Sequence, residues 1–183
     1  MDYKMYLGYF TGASVQIPVF DIEEVLQSLH ATANLHNRVV VAGNGGSFAT
    51  ALHFSQDLVK ACDTRSYTLG SNISGLTAYS NDNKYKNALV DEYKVIKETG
   101  DLLFLLSVSG NSKNLLKLAD YATALAGVTV VSLVGSPGGS LRDYSHSSII
   151  VPSENYGIVE SIHSMLCHYF IQELADAKSL SVL

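Results

Sequence analysis

The chain has 183 residues, enough for one apolar core of ordinary domain size with no need for disulfide or metal staples. Hydrophobic residues make up 47% and charged residues 16%, which excludes an intrinsically disordered chain. Twelve basic against 17 acidic residues, a net charge of −5, exclude the basic stripe of a general nucleic-acid binder but leave a phosphate ligand open, because backbone N–H groups at a helix start hold one without net positive charge. No apolar run approaches the ~20 residues of a membrane span. The start, Met1-Asp2-Tyr3-Lys4, lacks the charged-then-apolar pattern of a leader, and Cys62 and Cys167 are too few for a disulfide framework. The expectation is a cytoplasmic protein with reduced cysteines and no nucleic-acid or membrane partner.

In chain order, residues 1–36 read as a helical N-terminal arm. Within it Asp21 is placed as an N-cap with Glu24 closing a capping box, ahead of Ile22, Val25, Leu26 and Leu29 at helical spacing. Arg38–Ala42 is a short apolar run of the kind buried on both faces of a parallel sheet. A helix follows over Phe48–Val59, then a weaker strand over Ser66–Leu69. Leu76–Asn83 is polar and turn-rich. Leu102–Ser107 is a strong strand, Lys113–Leu125 a helix, and Val128–Val134 and Ser148–Val151 are strands. A last helix covers roughly Ile158–Ala177. Its stripe of Ile158, Ile162, Met165 and Tyr169, with Val159 and Phe170 beyond it, is wide enough to bury two faces, one on the sheet and one on another subunit. Strand–helix alternation with short Gly-rich connections predicts an α/β fold with a doubly wound parallel sheet, and the absence of repeats or linkers predicts one domain over 1–183.

Ligands of open parallel sheets bind beyond the carboxyl ends of the strands, and two loops at such ends stand out. Gly43-Asn44-Gly45-Gly46-Ser47 links the first strand to a helix, its glycines permitting close backbone approach. Ser107-Val108-Ser109-Gly110-Asn111-Ser112 does the same later, with three hydroxyls at a positive helix end. Neither loop is a Walker A motif, and the first lacks the spacing of the dinucleotide fingerprint, so no nucleotide cofactor is expected. Two such loops on one sheet point to a phosphorylated ligand, whose sugar hydroxyls can pair with Asn81 and Asp82. Read singly, each of these residues is also an ordinary cap or turn residue.

Gly43-Asn44-Gly45-Gly46-Ser47 with Ala51 and His53, then Leu76-Thr77-Ala78 with Asn81-Asp82, then Ser107–Ser112, taken in that order, resemble the SIS (sugar isomerase) domain, and within it the phosphoheptose isomerase group. The resemblance runs from about Phe20 to Leu174. It implies a flavodoxin-like five-stranded parallel sheet flanked by helices, a homotetramer with sites between subunits, and, in some members, zinc. On the same ground Ser47, Ser107, Ser109 and Ser112 fall on phosphate-binding positions, with Asn44, Gly45, Val108 and Asn111 completing the two loops. His53 falls on a metal-binding histidine, Asp57 on a glutamate acting as base or ligand, His168 on a histidine used for proton transfer or metal binding, and Glu160 on a glutamine ligand. The departures are Val108 for a threonine, Asp57 for a longer glutamate, Ala61 for an arginine, and Glu160-Ser161 for a Gln-Glu pair. A related DNA-replication regulator keeps the fold and lacks the last-helix histidine, so His168 favours an enzyme.

Aldose–ketose isomerisation through an enediol needs a carboxylate or histidine as base and an acid or metal at the carbonyl. His53 and Asp57, spaced i, i+4, share one helix face. Glu160 and His168 lie roughly 80° apart around a helix and can flank one site, whereas His163 lies roughly 140° from His168 and serves another. Glu160 points away from the apolar stripe, toward solvent in a lone chain. The leading expectation is a heptose phosphate isomerase with His168 and Asp57 as the proton-transfer pair and His53, Asp57, Glu160 and His168 as candidate zinc ligands. The alternative is a non-catalytic SIS module that binds a phosphosugar and regulates a protein partner.

Overall fold

The computed structural model describes residues 2–181. Five strands, Arg38–Ala42 (β1), Arg65–Thr68 (β2), Leu102–Ser107 (β3), Thr129–Gly135 (β4) and Ser147–Val151 (β5), form one all-parallel sheet in the order β2-β1-β3-β4-β5. The predicted strands all form, with bounds shifted by no more than one residue. Side chains alternate between two cores. Val39, Val41, Leu102, Phe104, Leu106, Val131 and Leu133 face one side, and Val40, Ala42, Leu103, Leu105, Val130 and Val134 the other. Both faces are covered, which is why β1, β3 and β4 read as continuous apolar runs.

Helices Val19–Asn34 (α2), Gly46–Cys62 (α3) and Tyr156–Ser181 (α7) cover the first face. Tyr85–Ile96 (α5) and Lys113–Thr123 (α6) cover the second, joined by the 3-10 turn Ser140–Tyr144. Tyr3–Val15 (α1) precedes them, and Ile73–Asn83 (α4) buries no side chain. Phe104 on β3 fixes the two helices that matter most for the site: its ring lies 4.8 Å from Phe54 of α3 and 6.2 Å from Phe170 of α7, centroid to centroid. No helix among the described residues is long and apolar enough to cross a membrane.

The N-terminal segment is helical, as expected, and Val25 and Leu29 of α2 are fully buried in the first core. Three expectations are corrected. Asp21 does not cap α2: the helix starts at Val19 after Pro18, which makes no side-chain cap bond, and Asp21 lies in the first turn, where its charge suits the helix dipole. Leu76–Asn83 is helical, and α5 follows it across Lys84, which turns the chain with φ 67°. The buried stripe of α7 runs through Val159, Ile162, Leu166, Cys167 and Phe170, while Met165 and Tyr169 stay exposed.

The same stripe carries His163, only 1% exposed, with neither ring nitrogen reaching a hydrogen-bond partner in full geometry. Burial lowers its pKa from 6.5 to about 4, and the Val134 backbone, a marginal contact, offsets only part of this. The unfolded chain therefore takes up a proton in that interval that the folded chain refuses, and stability is lost as pH falls from 6.5 toward 4. The whole effect is about 3 kcal/mol. His163→Leu is expected to remove it, so that in urea unfolding the stability of the variant relative to wild type grows as the pH is lowered from neutral. A difference that stays constant with pH would contradict the assignment.

Candidate active site

The strand order places β1 beside β3, and connections leave these neighbours toward opposite faces of the sheet: β1 leads into α3 and β3 into α6. A crevice opens at such a switch point, and two helix N-termini point into it. The cavity there is about 80 Å³, small-anion size rather than the ~300–1,000 Å³ of a drug-sized ligand site. Asn44 and Ser47 line it from the β1–α3 side, and Ser107, Val108, Ser109 and Ser112 from the β3–α6 side. Neither helix has an acidic residue in its first turn to occupy its positive end.

The serine loop is held by its own chemistry. Ser107 Oγ accepts from Gly110 N–H at 3.1 Å and Ser109 Oγ from Asn111 N–H at 3.2 Å. Asn111 Oδ1 accepts from Ser140 N–H at 3.0 Å, and Gly110 adopts φ 62° with its Cα against the Gly138 carbonyl, where no side chain fits. Ser112 is the N-cap of α6 yet makes no side-chain cap bond, so its hydroxyl remains available to a ligand. Asn44 is locked from behind. Its amide exchanges two bonds with Asn114, 3.0 and 2.8 Å long, and its Oδ1 also accepts from Tyr85 Oη at 2.7 Å.

A second group lies further along α3, where that helix packs on α7. His53 Nε2 and Asp57 Oδ2 are 3.1 Å apart, and His168 Nδ1 lies 4.0 Å from the same oxygen. The two imidazoles meet edge to face at 5.0 Å. One ligand atom from each of His53, Asp57 and His168 lies within 4.8 Å of the others. The histidines keep 57% and 56% of their side-chain surface exposed, and Leu52, Val59, Met165 and Tyr169 on the same two helices are exposed as well. Cys167 is no nucleophile: burial raises its thiol pKa, so the thiol stays protonated.

Of the residues named from the sequence, Asn44, Ser47, Ser107, Val108, Ser109 and Ser112 share the cavity, and His53, Asp57 and His168 share the second group. Glu160 is not with that group. It lines the cavity, its carboxylate lying against Gly46 rather than toward solvent. The angular arithmetic on α7 alone omitted α3, which packs across that face. Gly45 caps α3 with φ 56°, and Asn111 serves the loop. Asn81 and Asp82 are exposed on α4 and bonded to each other at 3.0 Å. Sequence reasoning missed Tyr85, Asn114 and Tyr156, the last of which also lines the cavity. Only Asn114 left a signal, a polar residue on the apolar stripe of α6 that continues through Leu118 and Ala122.

The architecture is an α/β domain built on one all-parallel sheet with a cavity at its switch point, and a family model described as SIS domain matches residues 20–135. The chain belongs to this family and, within it, to the phosphoheptose isomerase-like branch. It is 36% identical over 145 residues to a phosphoheptose isomerase of Mycobacterium tuberculosis, covering 76% of this chain and 74% of that one. It is 32% identical over 154 residues to the phosphoheptose isomerase of Helicobacter pylori, covering 80% of each. The fold matches the structure of a phosphoheptose isomerase from Neisseria gonorrhoeae with a TM-score of 0.86 at 22% identity, over 94% of this chain and 96% of that one.

The Asn44 lock is testable by stability. Asn114→Leu leaves the Asn44 amide without its buried partner and is expected to cost about 1–3 kcal/mol. Tyr85→Phe is expected to cost less, since Tyr85 is exposed. Denaturant unfolding checks both. An Asn114→Leu protein as stable as wild type would contradict the lock.

Proposed function

We propose that the protein is an aldose–ketose isomerase acting on a heptose phosphate of the sedoheptulose 7-phosphate type. The observation that carries this is the pairing of a small-anion cavity at the starts of α3 and α6 with the His53–Asp57–His168 group on α3 and α7. Ser47 and His53 are six residues apart on α3, about 9 Å along the axis. A phosphorylated chain of several carbons is needed to reach from one to the other. The names of the curated relatives support the same substrate class.

In this reading the serine hydroxyls and the N-termini of α3 and α6 hold the phosphate. The Asp57 carboxylate takes the proton from C1 of the ketose and returns it to C2, passing through an enediol. His168 gives a proton to the C2 oxygen and receives one from the C1 oxygen. His53, bonded to Asp57 at 3.1 Å, orients the carboxylate. The donor set also fits zinc: two imidazole nitrogens and a carboxylate oxygen lie within 4.8 Å, and three protein ligands leave a position open. His53, Asp57 and His168 would hold the ion, which when bound supplies a Lewis acid for a carbonyl oxygen. Asn81 and Asp82 contact sugar hydroxyls in this reading, from exposed positions on α4, the helix that precedes Tyr85, whose hydroxyl donates to Asn44. The exposed Leu52, Val59, Met165 and Tyr169 around two exposed histidines support a homotetramer in which another subunit covers this face and keeps water from the reaction.

His168→Ala and Asp57→Asn are each expected to cut turnover of sedoheptulose 7-phosphate by ~10²–10⁴ while leaving its binding nearly intact, because the phosphate is held elsewhere. Variants that turn over at the wild-type rate would remove the proton-transfer pair. Ser112→Ala is expected to weaken the phosphorylated sugar by about 1.5–3 kcal/mol and spare the unphosphorylated one. Equal losses by calorimetry would remove the phosphate cradle.

A further inference from the structure

Among the described residues, the cavity that suits an anion has one charged side chain in its lining, and it is negative. Glu160 lines it together with Ser47, Ser107, Ser109 and Ser112, and no described lysine, arginine or histidine does so. The carboxylate sits against the backbone of Gly46. A Cβ at Gly46 would fall 2.6 Å from both the Glu160 carboxyl carbon and Oε1, closer than real side-chain atoms approach, so the carboxylate lies flat on the glycine at the first turn of α3. The bare backbone of Gly46 makes the space that Glu160 occupies. A carboxylate here lowers the positive potential that the helix end offers to a phosphate. It also adds an acceptor for hydroxyl groups beside the phosphate position.

We infer that Glu160 is a specificity-determining residue of the cradle: its carboxylate, seated on Gly46, accepts hydroxyl groups of the sugar chain and repels a free anion, so that the site selects a phosphate carrying a hydroxylated chain over phosphate alone. This rests on the phosphosugar reading of the cavity. The free phosphate ion meets the full repulsion with nothing in return. The phosphosugar meets the same repulsion and recovers part of it through hydrogen bonds from hydroxyls to a charged acceptor.

The test measures binding of inorganic phosphate and of sedoheptulose 7-phosphate to the full chain and to Glu160→Gln and Glu160→Ala, at one pH and one salt concentration. Both variants are expected to bind inorganic phosphate about tenfold more tightly, the effect of removing one nearby charge in a partly solvated site. Sedoheptulose 7-phosphate is expected to gain less or to weaken, which narrows the preference for sugar phosphate over phosphate. Two variants are used so that one folded protein suffices, with circular dichroism reporting the fold. Phosphate affinity that is unchanged or weaker in the folded variants would overturn the inference, as would an equal gain for both ligands. If wild-type protein binds phosphate and not sedoheptulose 7-phosphate, the heptose substrate falls, and tighter phosphate binding by the variants still supports the repulsive half of Glu160's role while the hydroxyl-accepting half is overturned.

Discussion

The parallel pairing of β1 with β3 is the constraint from which the site follows. Because these strands are neighbours while their helices leave to opposite faces, the N-termini of α3 and α6 converge on one crevice. Among the described residues no cationic side chain lines the resulting cavity. The backbone supplies its positive potential, and side chains adjust it: hydroxyls from the serine loop, the Asn44–Asn114 lock behind it and Glu160 at its edge. A chain with a net charge of −5 can in this way present a small positive site without any basic patch.

The helix pair α3/α7 carries both the cavity residues Ser47 and Glu160 and the second group. Phe104 of β3 seats Phe54 and Phe170, and those two residues belong to the same helices as His53, Asp57 and His168. Core packing therefore sets the distance between the cavity and the imidazole–carboxylate group. In the proposed reading the two places carry different chemistry, recognition by hydroxyls and helix ends at one and proton transfer or metal ligation at the other. Glu160 lines the first, although its position on α7 relative to His168 suggested the second.

Strands were legible because a sheet covered on both faces leaves unbroken apolar runs, as in Leu102–Leu106. The loops were legible because glycines and serines cluster at the two strand–helix connections, where the N-termini of α3 and α6 converge. Helix α4 was not, since it buries no side chain and so carries no apolar stripe. The true register of α7 was hidden by Met165 and Tyr169, large apolar residues that stay exposed, and by His163, a polar residue buried without full hydrogen bonding. Tyr85 and Glu160 were misjudged or missed for one reason: each acts through a contact with a residue over forty positions away, Asn44 and Gly46 respectively, which no local spacing encodes.

Proton NMR of sedoheptulose 7-phosphate in deuterated water, with the protein and with or without added zinc, is the most direct measurement. Proton transfer through an enediol predicts loss of the C1 hydrogen signal to solvent deuterium, at a rate proportional to protein concentration, together with growth of the aldose anomeric signals. A sugar phosphate that binds but keeps its C1 hydrogens in both conditions would contradict isomerisation and leave a phosphosugar-binding module.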